Sequence, residues 1–148
     1  MNINELPRVV LVSRCIVKNE NDELLIIQRA HGDTYNSGLW ELPGGKLDSG
    51  QDLRHTLERE GVEETGLLVC QDSDLSFVDS YVIGRGPYKG MPYIAIFSLA
   101  RVIGGKFKLS SEHEQAAWEP YDTALNYELT PESRKAIIIL GRSILDAS

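Results

Sequence analysis

The chain is short of cysteine, of long apolar runs and of positive charge, and each shortage removes a class of protein. Its 148 residues hold two cysteines, Cys15 and Cys70, each in or beside a strand-like apolar run. Two such thiols offer neither a disulfide framework nor the paired spacing of a zinc site, so buried free thiols are expected. No apolar run is long enough to cross a bilayer and the first residues lack the shape of a secretory signal; a cytoplasmic location and no membrane partner are the expectation. Lysine and arginine number 15 against 22 acidic residues, a net charge of −7. That balance argues against stable nucleic-acid binding and against adhesion to a membrane surface. A small anionic substrate stays compatible, because a metal site and a few local cations can reverse the field. Internal repeats, low-complexity tracts and linkers are missing as well. What remains, at 42% hydrophobic and 25% charged residues, reads as one globular domain over residues 1–148.

The strongest pattern lies in the middle of the chain. Gly44 and Gly45 mark a loop, a helix is expected from about Asp52, and Gly66 ends it as a glycine cap. At about 100° per residue, Leu53, Leu57, Glu60 and Glu64 share one stripe roughly 60° wide. The stripe begins as two core-facing leucines and continues as two carboxylates where apolar residues belong. Glu63 flanks it, one turn on from Glu60. Three inward carboxylates cannot all stay charged without a compensating cation. Hard divalent ions with oxygen ligands, Mg²⁺ or Mn²⁺, meet that need. The plainer alternative is a solvated acidic face, with Arg59 paired to one of these carboxylates.

The wider spacing favours the first reading. Gly45, Arg59-Glu60, Glu63-Glu64 and Gly66-Leu67 stand in one frame, residues 45–67, that closely resembles the signature of the Nudix hydrolases. Two positions depart from it. Gln51 replaces the first glutamate, which removes a charge, a base and a strong metal ligand while keeping the shape. Gly61 replaces a bulky aliphatic, which costs about 1 kcal/mol in helix propensity and is expected to leave the core slack.

The resemblance implies an α/β/α sandwich around a mixed β-sheet; periodicity alone supports a mixed α and β domain. It implies metal binding by Glu60, Glu63 and Glu64 with Gly45, an orienting role for Arg59, and a further acidic group from the region of Glu112 and Glu114, Glu112 preferred. It also implies hydrolysis of a nucleoside diphosphate linked to another group. A nucleoside triphosphate is the first expectation and an ADP-ribose-like dinucleotide the second. Arg29, at the end of the second strand, is either a phosphate contact or an exposed strand-end arginine. Lys46 and Arg85 join it as candidate substrate contacts. A catalytically weakened nucleotide-binding module is the alternative that Gln51 supports, and a homodimer stays open.

Elsewhere, Arg8 to Lys18 and Glu23 to Arg29 read as a hairpin across Asn19–Asp22. Strands are expected over 67–70, 76–83, 93–101 and 116–119, with a glycine-rich basic loop at 84–90. His113 reads as a loop residue and Trp40 as structural. Thr130-Pro131-Glu132 starts a last helix, whose apolar residues from Ala136 to Leu145 should pack on the sheet.

Overall fold

Strand β1 (Val10–Lys18) and strand β2 (Glu23–Arg29) are joined by the turn that Asn19 organises. Its side-chain oxygen accepts hydrogen bonds from the backbone N–H of Asn21 and of Glu23. Next to the turn Lys18 pairs with Leu24, and the segment 40–46 is woven between the two strands further on. There β3 (Trp40–Glu41) pairs with β2, while β4 (Gly44–Lys46) pairs with β1. Pro43, between them, has no N–H for a ladder, but its carbonyl accepts from the Cys15 N–H at 2.9 Å. The computed structural model describes residues 2–32 and 35–146, the side chains of 143–146 excepted.

Helix α1 spans Leu53–Thr65, with the Asp52 side chain accepting from His55 N–H as N-cap and Gly66 at φ 73° as the left-handed C-cap. A hairpin of β5 (Leu67–Val82) and β6 (Pro92–Gly105) follows. The two strands expected at 67–70 and 76–83 are thus one. Polar residues between Gln71 and Ser76 shift the register instead of ending the strand, because pairing on both sides carries the ladder past the irregularity. Strand β7 (His113–Pro120) begins earlier than expected and pairs with β2, which makes His113 a strand residue and corrects its reading as a loop residue. The short α2 (Tyr121–Ala124) leads to α3 (Pro131–Asp146). Thr130 Oγ1 accepts from Ser133 N–H at 3.4 Å at the start of α3.

The sheet runs β3-β2-β1-β6-β5, with β4 on β1 and β7 on β2. It is mixed, since β1 is parallel to β6 and antiparallel to β2 and β4. Alternate residues of β1 go to opposite faces. Val10, Val12 and Ile16 pack with Ala136, Ile137 and Leu140 of α3, whereas Cys15 and Val17 pack with Leu57 of α1. The result is the α/β/α sandwich. The Leu145 side chain lies outside the described residues. Trp40 meets Tyr127 edge-on at 4.8 Å and packs on the α3 core. Both cysteines are free, Cys15 buried and Cys70 half-buried. Among the described residues no helix is long and apolar enough to cross a membrane.

Gly61 is not slack. It is buried, and a β-carbon there would come within 3.0 Å of Val69 Cγ2. The branched side chain of β5 fills the space that a bulky residue on the helix would take.

Candidate active site

The glycine loop is seated directly on the acidic stripe of α1. Gly44 N–H donates to Glu64 Oε1 at 2.7 Å. A β-carbon on Gly45 would stand 2.4 Å from Glu60 Oε1, so any larger residue there would push the Glu60 carboxylate from its present position. Arg59 lies across the edge of the arrangement. It donates to Asp48, to the Lys46 carbonyl at 3.0 Å and to Glu60 Oε1 at 3.1 Å, and its Nε is 3.8 Å from Glu63. The guanidinium thereby ties the loop to the helix and orients Glu60.

Glu60, Glu63, Glu64 and Glu112 line one open cavity of about 160 Å³, together with Ser110 and Ser111. The structure brings these four expected acids together. Glu114 is elsewhere: it accepts from the His31 backbone N–H and meets His31 Nδ1, both at 2.7 Å. Gln51 stands just before the cap of α1, and its amide oxygen is buried without a hydrogen-bond partner. It does not line the cavity.

Behind Glu64 lies a buried polar cluster that sequence reasoning missed. Glu41 is 1% exposed. Its carboxylate meets Arg29 Nη1 and His113 Nε2 at 3.1 Å each and Arg14 Nη1 at 3.5 Å. Burial opposes its ionisation, but Arg14, the His113 hydrogen bond and Arg29 outweigh that and hold the carboxyl down at about 2. Glu64 behaves in the opposite way. Burial pushes it up to about 8, with Glu41 and Glu60 adding to the rise and Arg14 and the Gly44 N–H countering it. Glu60 is raised too, by burial and then by Glu63, against Arg59. The one signal for Glu41 was a charged residue directly before Leu42-Pro43-Gly44-Gly45. Arg14, inside an apolar strand, was likewise visible but unassigned.

One ligand atom each from Glu41, Glu64 and His113 lies within 4.8 Å of the others. Two arginines already neutralise Glu41, so a cation gains little on that side. The unbalanced acid faces the cavity. Arg59, already bound to Asp48, is the one cation paired with Glu60 or Glu63 among the described residues. An all-carboxylate donor set short of positive charge fits a hard divalent ion.

The candidate substrate contacts are arranged around this core. Arg29 is half-buried and donates to Glu41 Oε1 at 3.1 Å and to the Tyr35 carbonyl at 3.0 Å. Lys46 sits over the Tyr88 ring at 4.6 Å, and the Tyr35 hydroxyl rests against Gly86. The exposed loop 84–90, which carries Arg85, therefore leans toward both β4 and the loop after β2.

The chain is similar to known proteins in sequence and in fold. The chain is 35% identical over 116 residues to the mouse 8-oxo-dGDP phosphatase NUDT18, a match covering 76% of this chain and 32% of that protein. It is 33% identical over 115 residues to the 8-oxo-(d)GTP phosphatase of Mycolicibacterium smegmatis, covering 78% of this chain and again 32% of that protein. The chain thus spans about a third of the length of these curated relatives. Among solved structures, the MutT protein of Methanosarcina mazei superposes with a TM-score of 0.75 at 26% identity, covering 94% of this chain and 96% of that one. The family model for the NUDIX domain matches residues 9–138. On that match, and on the seating of its glycine loop against the glutamates of α1, the chain belongs to the Nudix family.

Proposed function

We propose that the chain is a metal-dependent hydrolase that cleaves the diphosphate linkage of a nucleoside diphosphate derivative. The observation that carries this reading is the convergence of Glu60, Glu63, Glu64 and Glu112 on one cavity beside Gly44-Gly45. A diphosphate repels an approaching hydroxide, so its hydrolysis needs charge neutralisation and an aligned, activated water. Glu60, Glu63 and Glu64 would hold Mg²⁺ or Mn²⁺, with Gly45 packed against Glu60. The ion, when bound, neutralises phosphate oxygens and lowers the pKa of its water. Arg59 keeps Glu60 aimed at the cavity. Glu112, which lines the same cavity, accepts the proton of the attacking water in this reading, whereas Glu114 is occupied with His31. Lys46 and Arg85 meet the phosphates from the rim, and Arg29 supports Glu41 beneath them.

The names of the similar proteins favour an oxidised guanine nucleotide as substrate, with ordinary nucleoside triphosphates next and ADP-ribose-like dinucleotides after them. The setting proposed is the cytoplasm. The test is phosphate and pyrophosphate release from such a panel with Mg²⁺ and with Mn²⁺, comparing the protein with Glu64→Gln and Gln51→Glu. Turnover that Glu64→Gln abolishes is the expected result. Gln51, an amide where a carboxylate could act as base or metal ligand, supports a second reading, a module that binds a nucleotide without cutting it. Binding without turnover, in the protein and in Gln51→Glu alike, would put that reading first.

A further inference from the structure

We propose that His113 is a positioning residue that locks the turn carrying Glu112 to the helix carrying Glu60, Glu63 and Glu64. The inference rests on the reading that these carboxylates hold a divalent ion. The His113 side chain is 0% exposed, at the first position of β7. Its Nε2 lies 3.1 Å from Glu41 Oε1 and 3.6 Å from Glu64 Oε2. Its Nδ1 lies 2.9 Å from the Ser110 hydroxyl. The Glu41 carboxylate can only accept, so Nε2 carries a proton toward it, and the Ser110 hydroxyl, which can donate or accept, partners Nδ1. That arrangement satisfies both ends of the ring.

The ring hangs from a fixed anchor, because Arg14 and Arg29 hold Glu41 in place. The longer approach to Glu64 is beyond a hydrogen bond, yet it bounds the movement of Oε2 while Gly44 N–H holds Oε1 at 2.7 Å. The backbone carries the restraint on to Glu112. His113 N–H donates to the Ser110 carbonyl at 3.2 Å, Ser110 N–H to the Glu64 carbonyl at 2.9 Å, and Ala30 N–H to the Glu112 carbonyl at 3.0 Å. The ring thus meets Ser110 at one nitrogen and Glu41, with Glu64 nearby, at the other, and the backbone bonds join the Glu112 turn to α1. Any buried histidine needs partners for its ring nitrogens; what marks this one is that its partners are Ser110, which lines the cavity, and Glu41, with Glu64 Oε2 at 3.6 Å.

Outer partners of metal ligands typically change metal affinity by about 10- to 100-fold when removed. The test is the Mn²⁺ dissociation constant, read by electron paramagnetic resonance, for the protein, His113→Leu, His113→Gln and Ser110→Ala, with Glu64→Gln as control. His113→Leu should weaken Mn²⁺ by about tenfold or more, with kcat lowered and the nucleotide KM unchanged. His113→Gln keeps a nitrogen donor near the Nε2 position and should recover most of the affinity. Ser110 also lines the cavity, so its action through the ring is read by a double variant: Ser110→Ala should weaken Mn²⁺ measurably in the protein and no further in His113→Gln, and this pair decides the matter if His113→Leu does not fold. Unchanged affinity in both His113→Leu and Ser110→Ala, equal loss in His113→Gln and His113→Leu, or an equal Ser110→Ala loss with and without His113→Gln, overturns the proposal. Absence of Mn²⁺ binding in the parent protein, or binding unaltered by Glu64→Gln, overturns the metal reading beneath it and the proposal with it.

Discussion

Glu41 and Glu64 face the same imidazole, and the protein treats their charges in opposite ways. Glu41, among Arg14, Arg29 and His113, is held at about 2, so its contribution to stability is complete above the ordinary carboxylate range and is lost as pH falls toward 2. Glu64, raised to about 8, holds a proton in the folded chain that the unfolded chain releases above its ordinary pKa of about 4.3. The folded state then binds more protons than the unfolded one, and stability falls as pH rises through that window. A tenfold difference in proton affinity between the two states is worth about 1.4 kcal/mol, so the metal-free protein should lose several kcal/mol between about pH 5 and pH 8. Thermal unfolding in EDTA should show this decline, Glu64→Gln should flatten it, and Mg²⁺ should restore stability at the alkaline end by binding the folded state. A pH-independent Tm in EDTA would count against the buried, uncompensated carboxyl. Gly61 belongs to this scale too. Because Val69 occupies the neighbouring space, Gly61→Ile should destabilise the protein by about 1–3 kcal/mol through overpacking, as measured by urea unfolding.

At the scale of the element, α1 is specified from both ends. Asp52 caps its start and Gly66, at φ 73°, its end. Replacing Asp52 with alanine leaves helix N–H groups unsatisfied and should cost about 0.5–2 kcal/mol, without altering the residues that line the cavity. The denaturation midpoint measures the cost, and an unchanged kcat with saturating metal confirms that the cap acts on the helix alone. The helix was legible because its signals are local. Glycines, a cap and a spacing of three and four lie within one stretch of chain, and helical geometry by itself turns that spacing into a face. Strand β5 was legible only in part. Its polar middle looks like a loop in isolation, and pairing with β6 carries the chain through it.

Across the whole molecule, the cavity joins groups from distant parts of the chain: Gly44 and Gly45 of β4, three glutamates of α1, and Glu112 ahead of β7. The loop 84–90 leans toward β4 and the loop after β2, through Tyr88 on Lys46 and Gly86 on Tyr35. Arg85 is exposed on that loop, so Arg85→Ala should raise KM for the nucleotide several-fold and leave kcat, Mn²⁺ affinity and stability as they are. Steady-state kinetics on the substrate that the panel identifies will show this, and an unchanged KM would remove Arg85 from the substrate contacts.

The residues alone determined the glycine loop, the capped helix, the acidic stripe with its demand for a cation, and the family resemblance that implied the sandwich. Each rests on neighbours in sequence whose geometry the backbone sets. Only the tertiary structure decided that Glu41, Arg14 and His113 lie behind Glu64, that Glu112 joins the cavity while Glu114 turns to His31, and that Gly61 is a close contact. Those facts follow from the segment 40–46 being woven between β1 and β2, and from β7 pairing with β2 so that its first residue meets the end of α1. No periodicity along the chain records such meetings, because they bring together residues separated by tens of positions.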